Sequence, residues 1–180
     1  MRAKTFAQRR FFARPFRLRA LLCVLAVSLF LVGGDQWLSG RVVSVPDGDT
    51  LEIYTGAGGR KRIRPYGVDC PELDQPGGAR AAASAKALAL FQKAGLTVMD
   101  HDRYDRGVAI VTLREGKVLN EELLRQGHAS VYGYYCRTPR CTAWKKLEAE
   151  AKQAGLGLWA GPGPVPPWKW RQRNRPGRAR

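Results

Sequence analysis

Short β-rich runs alternate apolar and polar positions through the middle of the chain. Turn-forming residues separate the first three runs: Pro46-Asp47-Gly48 comes first, and the glycine-rich segment 56–59 follows. Alternation with a period of two is typical of half-buried strands, and tight turns join neighbouring strands in antiparallel order. The pattern therefore predicts an antiparallel meander with two further strands after it. The predicted strands are residues 41–45, 50–54, 61–66, 97–100 and 108–113.

Three other segments have the residue content and the end signals of helices. An alanine-rich run stops before Gly95, and glycine favours the position just after a helix. Asn120 and Thr142 each precede a helical segment and are good N-cap residues. A strand meander with helices inserted and appended favours a small α+β domain built on a closed or partly closed barrel. The predicted helices are residues 79–94, 121–126 and 143–154.

The first 34 residues differ from the body of the chain. Residues 1–19 contain seven basic residues and no acidic residue, and 20–32 is an apolar run that ends in two glycines. This order is typical of a secretory signal, and the run is short for a bilayer crossing, which needs roughly 20 apolar residues. We therefore predict a signal peptide or an uncleaved signal-anchor at 1–34. The protein is expected to be periplasmic or secreted, or anchored in the inner membrane if the leader is retained.

Proline, glycine, tryptophan and arginine dominate from residue 161 onward without periodicity, so 161–180 is predicted to be a basic tail. The net charge is +16, of which the first 34 residues carry +7 and the last thirteen carry +6, so that 35–167 carry only +3. A modestly basic domain with a strongly basic tail suits a polyanionic partner bound through phosphates. The alternative is a tail that improves solubility or touches anionic lipid.

Three cysteines follow the leader. Cys136 and Cys141 are separated by a short turn-forming segment, which a disulfide could close in an oxidising compartment. A zinc site is disfavoured because two cysteines fall short of four ligands. Cys70 would then be a small buried side chain.

Two acidic clusters are bounded by glycine or proline. Asp49 lies in the turn between the first two strands, and Asp69 and Glu72 flank the pair Cys70-Pro71. Proline removes a backbone donor and extends the residue before it, which leaves the Cys70 carbonyl free to face an ion. Calcium takes roughly six to eight oxygen ligands from carboxylates, carbonyls and waters. Either cluster alone is more typical of a surface turn. Together they predict that Asp49, Asp69 and the Cys70 carbonyl hold a hard cation such as calcium and that Glu72 orients or deprotonates a water.

Two arginines and several tyrosines complete the candidate chemistry. Arg64 ends a predicted strand just before the second acidic cluster, and Arg106 closes a polar loop. Guanidinium groups bind phosphate oxygens two at a time, so both are candidate catalytic and substrate-binding residues, with surface ion pairing as the alternative. Candidates to stack on bases are Tyr132, Tyr134 and Tyr135, with packing in the core or at its rim as the alternative.

With these motifs in this order, residues 40–159 resemble the thermonuclease, or staphylococcal nuclease-like, family. The matching segments are Asp47-Gly-Asp-Thr50, Arg64-x4-Asp69-x-Pro-Glu72, Asp102-x-Tyr-x-Arg106, Val118-Leu-Asn-Glu121 and Gly155-Leu-Gly-Leu-Trp159. The resemblance implies an oligonucleotide-binding-type, five-stranded barrel with about three helices over residues 35–160. It also implies calcium-dependent endonucleolytic hydrolysis of DNA and RNA with little sequence specificity, leaving 3′-phosphate ends, by a chain expected to be a monomer.

Carried over by position, the resemblance assigns calcium to Asp49, Asp69 and the Cys70 carbonyl, and the water to Glu72. It assigns phosphate binding and catalysis to Arg64 and Arg106.

Two positions depart from the family pattern. Cys70 stands in place of a threonine, and Asp105 stands in place of a glycine beside Arg106, where it adds a negative charge that could weaken phosphate binding or form a salt bridge with the arginine. A non-catalytic nucleic-acid-binding or protein-binding module and a membrane-tethered DNA-processing factor are the alternative functions. The first would be expected to lack at least one of the acidic or arginine residues of the motifs, and none is missing.

Overall fold

The computed structural model describes residues 37–175. The predicted leader, 1–34, and the last five residues of the predicted tail lie outside this range. Between residues 37 and 175, no helix is both long enough and apolar enough to cross a bilayer.

Seven strands form the β-structure of the described chain. Five of them close into a barrel in the order β1-β2-β3-β6-β5, and the other two pair as a small separate sheet. This confirms the predicted α+β fold with an oligonucleotide-binding-type, five-stranded barrel. The strands are β1 (Trp37–Ser44), β2 (Leu51–Tyr54), β3 (Arg60–Pro65), β4 (Val68–Asp69), β5 (Lys93–His101), β6 (Gly107–Thr112) and β7 (Ser130–Val131).

Closure of the barrel depends on one parallel pair. The first three strands are antiparallel neighbours, as the meander predicts, whereas β3 pairs with β6 in parallel. Irregularities in register interrupt β1 after Val42 and β5 after Val98, and extra residues of this kind bend a strand and help a sheet to curl. The interior is filled by alternate apolar side chains, such as Ile53 and Leu96, which are fully buried.

Within residues 37–175, four α-helices surround the barrel, one more than predicted. The first three correspond to the predicted helices, and the fourth lies in the segment that the sequence treats as an unstructured tail. The helices are α1 (Gly78–Ala89), α2 (Leu119–Arg125), α3 (Arg140–Gln153) and α4 (Pro167–Arg173). Single turns of 3-10 helix occur at Gly56–Gly58, Arg114–Gly116 and Gly157–Ala160.

The prediction of a tail without regular structure is therefore wrong for residues 167–173. Proline is favoured in the first turn of a helix, where its missing N–H costs nothing, and Pro167 occupies that position in α4 and is buried. The segment also makes long-range contacts: Gln75 donates its side-chain N–H to the Val165 carbonyl at 2.6 Å, and the Trp170 indole donates to Asp74 at 3.3 Å. Contacts so distant in sequence leave no periodic pattern.

Helix α1 ends earlier than the alanine run suggests. Ala81, Ala85 and Ala89 form a stripe of buried residues four apart, and the chain then leaves the helix at once. Phe91 has a positive φ of 63° and donates its N–H to the Val42 carbonyl at 2.9 Å, which brings the chain back to the barrel. The predicted cap Gly95 therefore lies inside β5, because pairing with β1 outweighs the helical preference of the sequence.

Asn120 is not the predicted N-cap but a buried residue in the first turn of α2. Its side-chain oxygen accepts the Val111 N–H at 3.0 Å, and its amide donates to the Tyr66 carbonyl at 2.9 Å. Thr142 is likewise inside α3, which begins at Arg140. Asn120 thus ties α2 to β6 and to the turn that leads into β4.

Cys136 and Cys141 form a disulfide with a Cα–Cα distance of 5.7 Å just before and within the start of α3. The bond joins the loop after β7 to the helix that carries the buried Trp144, whose ring centroid lies 6.3 Å from that of Tyr66. Cys70 is a buried free thiol, as expected from the sequence.

Candidate active site

The two acidic clusters meet where the β1–β2 turn, the end of β3 and β4 come together. Arg64, in β3, donates from Nη1 to Asp49 Oδ1 at 2.9 Å and from Nη2 to Asp69 Oδ1 at 2.7 Å. Asp69 is fully buried and Asp49 is 8% exposed. The structure therefore brings together three predicted site residues from two separate segments of the sequence.

Cys70 fixes the distance between the two clusters. Its backbone N–H donates to Asp49 Oδ2 at 2.9 Å, and its thiol donates to the Gly48 carbonyl at 3.2 Å. A Cβ on Gly48 would lie 2.6 Å from the Cβ of Cys70, so this turn requires glycine. Asp47 closes the same turn by accepting the Asp49 N–H at 3.0 Å.

The charges at this centre perturb one another strongly. Burial raises the pKa of Asp49 to about 6, an effect that Arg64 opposes and the neighbouring Asp69 reinforces. Burial would lower the pKa of Arg64, but the two carboxylates raise it overall, so the guanidinium stays charged. Burial and the adjacent carboxylates also raise the pKa of the Cys70 thiol, which therefore stays protonated and is a poor nucleophile.

Arg106 approaches the same centre from the loop between β5 and β6. Its Nε donates to Asp102 Oδ2 at 2.7 Å, and its Nη1 reaches Thr50 Oγ1, next to Asp49, at 3.4 Å. Asp102 also accepts the backbone N–H groups of Tyr104 and Arg106. Burial favours the neutral form of Asp102, but these hydrogen bonds outweigh it and lower its pKa. Asp102 is thus the residue that orients Arg106.

Asp105 has a different role from the one expected of it. The residue is exposed, and among the described contacts its carboxylate makes no ion pair with Arg106. Its φ is 58°, in the left-handed region that glycine adopts at no cost and aspartate tolerates better than most residues. The left-handed conformation of this turn therefore explains why the position suits glycine. The ion-pair partner of Arg106 is Asp102.

Glu72 joins the centre through a residue that the sequence analysis missed. Arg171, in α4, donates from Nη2 to Asp69 Oδ2 at 2.7 Å and from Nη1 to Glu72 Oε1 at 2.6 Å. The same Nη1 lies 3.1 Å from Asp69 Oδ1. Arg171 is one of six basic residues in the last thirteen, and no local signal distinguishes it from the others.

The predicted base-stacking tyrosines lie in the loop after β7. The Tyr132 N–H donates to the Gly67 carbonyl at 2.9 Å, two residues before Asp69, which places the loop beside the centre. The Tyr132 ring is stacked on Trp168 with a centroid distance of 5.2 Å and an interplanar angle of 3°, and the edge of Tyr135 packs against it at 4.9 Å. Tyr135 is 56% exposed, so its ring is accessible, whereas Tyr132 is partly covered.

The donor set fits a hard cation better than a soft one. Across residues 37–175 no three Asp, Glu, His or Cys side chains form a ready-made metal cluster. Asp49 and Asp69 nevertheless supply buried carboxylate oxygens, and the Arg171 guanidinium already occupies oxygens of Asp69 and Glu72 as a positively charged group. Carboxylate oxygens of this kind suit a hard divalent cation, whose ligand shell can be completed by carbonyls, waters or substrate oxygens.

A family model described as "Staphylococcal nuclease homologue" matches residues 62–161. The chain belongs to this family. The matched region includes Arg64, Asp69, Glu72 and Arg106, and the predicted resemblance is confirmed. Asp49 precedes the matched region and joins the site through its contacts with Arg64 and Cys70.

Several curated proteins are similar to this staphylococcal nuclease homologue. An "Uncharacterized endonuclease" of Escherichia coli O157:H7 is 38% identical over 118 residues, which cover 64% of this chain and 73% of that protein. A "Micrococcal nuclease" of Shigella flexneri is 32% identical over 149 residues, or 77% of this chain and 84% of that protein. An "Uncharacterized endonuclease" of Haemophilus influenzae is 31% identical over 116 residues, or 64% of each chain.

Proposed function

We propose that the protein is a calcium-dependent endonuclease that hydrolyses the phosphodiester bonds of DNA and RNA with little sequence specificity and leaves 3′-phosphate ends. Family membership and relatives named as endonucleases support a staphylococcal-nuclease-like hydrolase. The observation that carries the proposal is the pairing of Arg64 with two buried carboxylates, with Arg106 held beside them. Carboxylates for a cation and guanidiniums for phosphate are the groups that phosphodiester cleavage needs.

Asp49 and Asp69 would hold the cation, with the Cys70 carbonyl as a further ligand. Calcium bound there would polarise a phosphoryl oxygen and offset its charge. Both carboxylates are held in place before substrate arrives, because Arg64 and the Cys70 N–H fix their oxygens. Preorganisation of this kind avoids reorganisation during the reaction.

Arg64 and Arg106 would bind the scissile phosphate and stabilise the charge that develops on its oxygens. A guanidinium has roughly five N–H donors, and Arg64 commits two of them to the carboxylates in the hydrogen bonds described above, so others remain for phosphate. Asp102 holds Arg106 by its Nε and limits its rotation. Loss of one such donor typically lowers the rate about a hundredfold or more.

Glu72 would orient the attacking water and accept its proton on a carboxylate oxygen. Its side chain is 41% exposed, so water reaches it, and it lies close enough to Asp69 for both carboxylates to contact the Arg171 guanidinium in the described structure. The exposed ring of Tyr135 would stack on a base of any identity, which suits little sequence specificity.

Export and a monomeric state are part of the same proposal. The basic and apolar leader at 1–34 supports passage across a membrane, with the mature protein periplasmic or secreted, or anchored if the leader persists. The Cys136–Cys141 disulfide also favours an oxidising compartment. N-terminal sequencing of the exported protein would show where the mature chain begins.

Digestion of plasmid DNA and of RNA by residues 35–180 tests the activity. We expect strong cleavage with calcium, little cleavage with chelator, and 3′-phosphate ends on the products. Intact substrate in both conditions, with nucleic acid still bound, would favour a non-catalytic binding module instead.

The Glu72→Gln variant tests the role of the carboxylate. Turnover should fall by a factor of roughly 100 to 10,000, the usual contribution of a general base, while substrate binding survives. Glu115→Gln is the matched control, because Glu115 is exposed and pairs only with Lys117 at 3.6 Å within the described residues. Unchanged turnover in Glu72→Gln would exclude the proposed role in water activation.

A further inference from the structure

The C-terminal segment, defined here as residues 165–173, lies over the candidate active site. We infer that this segment competes with the divalent cation and with the nucleobase for the same side chains, so that cleavage requires its release. The inference rests on the proposed function, because it concerns access to that site.

Arg171 carries the first part of the competition. Its guanidinium contacts both oxygens of Asp69 and one oxygen of Glu72, at distances between 2.6 and 3.1 Å. A fork of this kind is the strongest geometry for binding carboxylates. The oxygens of Asp69 that would bind a cation are therefore already engaged by a positively charged group of the same chain.

Charge balance makes the two occupants mutually exclusive. Asp49, Asp69 and Glu72 carry three negative charges when ionised, and Arg64 offsets one of them. A divalent cation would complete the neutralisation, whereas a cation together with Arg171 would leave excess positive charge around Asp69, which is fully buried. Burial weakens solvent screening, so the repulsion between a cation and Arg171 would be strong.

Trp168 carries the second part. Its ring covers a face of Tyr132 with an interplanar angle of 3° and a centroid distance of 5.2 Å, the arrangement that a stacked base would adopt on the same tyrosine. Trp168 and Arg171 are three residues apart in α4 and so lie on one face of the helix. Within one short helix, the Trp168 ring therefore takes the place proposed for a stacked base, and the Arg171 guanidinium takes the place proposed for the cation.

The segment is held by contacts that can be broken. Helix α4 has seven residues, and isolated helices of that length are marginal in water. A cavity of about 130 Å³ adjoins the segment and is lined by Gln75, Leu158, Val165 and Trp170 among others. The Trp170–Asp74 hydrogen bond is exposed. The segment is thus held partly by the buried Pro167 and the Gln75–Val165 hydrogen bond, and partly by its contacts with the site that it covers.

Isothermal titration calorimetry with calcium alone tests the competition without measuring catalysis. Arg171→Gln should bind calcium about tenfold more tightly than the unmodified protein, the change expected if the segment is closed about nine-tenths of the time. Arg173→Gln is the matched control: it lies in the same helix, removes the same charge, and is exposed without an ion pair in the described structure. Arg171→Lys keeps the charge but loses the fork, and should fall between the two.

Hydrogen exchange supplies a second readout. Amides of α4, such as that of Trp170, which donates to the Pro166 carbonyl at 3.0 Å, should exchange faster when calcium is added, while those of α3 should not change. Circular dichroism of each variant confirms that it is folded.

Equal calcium affinity of Arg171→Gln and Arg173→Gln, or unchanged protection of α4 at saturating calcium, would overturn the inference. In that case calcium-dependent digestion by the unmodified protein would leave the proposed function standing. Failure of every variant to bind calcium, together with absent digestion, would overturn both.

Discussion

Replacement of Arg64 by glutamine separates the structural role of this residue from its proposed catalytic role. Arg64 is the shared partner of Asp49 and Asp69, at 2.9 and 2.7 Å. Removal of one partner from a buried ion pair costs about 3–5 kcal/mol, because a charge is left without compensation. Asp69 would keep Arg171 as a partner, and Asp49, whose pKa is raised to about 6, can take up a proton. We therefore expect a loss at the lower end of this range, about 3 kcal/mol of unfolding free energy measured in chelator.

Calcium should reverse this loss in stability but not the loss in activity. The ion replaces the positive charge that the variant lacks, so the rise in melting temperature on adding calcium should be larger in Arg64→Gln than in the unmodified protein. For a domain of this size, about 3 kcal/mol corresponds to a change of roughly 6–12 °C. Activity with calcium should stay about a hundredfold below that of the unmodified protein, because the donor proposed to bind phosphate is still missing.

Thermal and urea unfolding with chelator and with calcium measure both effects. Arg62→Gln is the matched control, since Arg62 is exposed on the same strand two residues earlier. If Arg64→Gln in chelator is as stable as Arg62→Gln, or gains no more from calcium than the unmodified protein, the electrostatic account of the site is wrong.

Three further predictions concern the support of the site. Asn120→Ala should lower the unfolding free energy, measured in urea, by about 3 kcal/mol. The Val111 N–H and the Tyr66 carbonyl would lose their partner, and each buried group left unpaired costs about 1–3 kcal/mol. A loss under about 1 kcal/mol would contradict this prediction. Reduction of the Cys136–Cys141 disulfide should lower the unfolding free energy by about 2 kcal/mol, because the bond closes a short loop and restricts the unfolded chain. Reductant should not change the stability of a Cys136→Ala, Cys141→Ala double variant. Burial, and to a smaller extent the positive charge of Arg80, lowers the pKa of His128. The folded protein therefore binds fewer protons than the unfolded chain near this pKa, and stability should fall as the pH drops below about 6.5. His128→Gln should reduce that slope, and an unchanged slope would exclude this histidine as its source.

The barrel was predictable because its strands alternate over short distances and its turns carry glycine or proline. The acidic clusters were predictable for a related reason, since Asp49 and Asp69 each belong to a short acidic segment bounded by glycine or proline. Errors arose where a local signal competed with a distant partner. The Asn120 side chain satisfies groups on β6 and in the turn after β3 rather than capping its own helix. Gly95 follows a helical run but pairs with Ser39 of β1.

The position of Arg171 over the site could not be predicted from composition. Six basic residues in the last thirteen are equivalent as net charge, and that charge alone predicts only attraction to polyanions. The register of α4 distinguishes them: Trp168 and Arg171 share the face that meets Tyr132 and Asp69, whereas Lys169 is exposed. Exchanging Arg171 with Gln172 would keep every charge and move the guanidinium around the helix by one position. Long-range attraction to nucleic acid should then survive while occlusion of the site is lost, so the two proposed roles of the basic segment are separable by residue order alone.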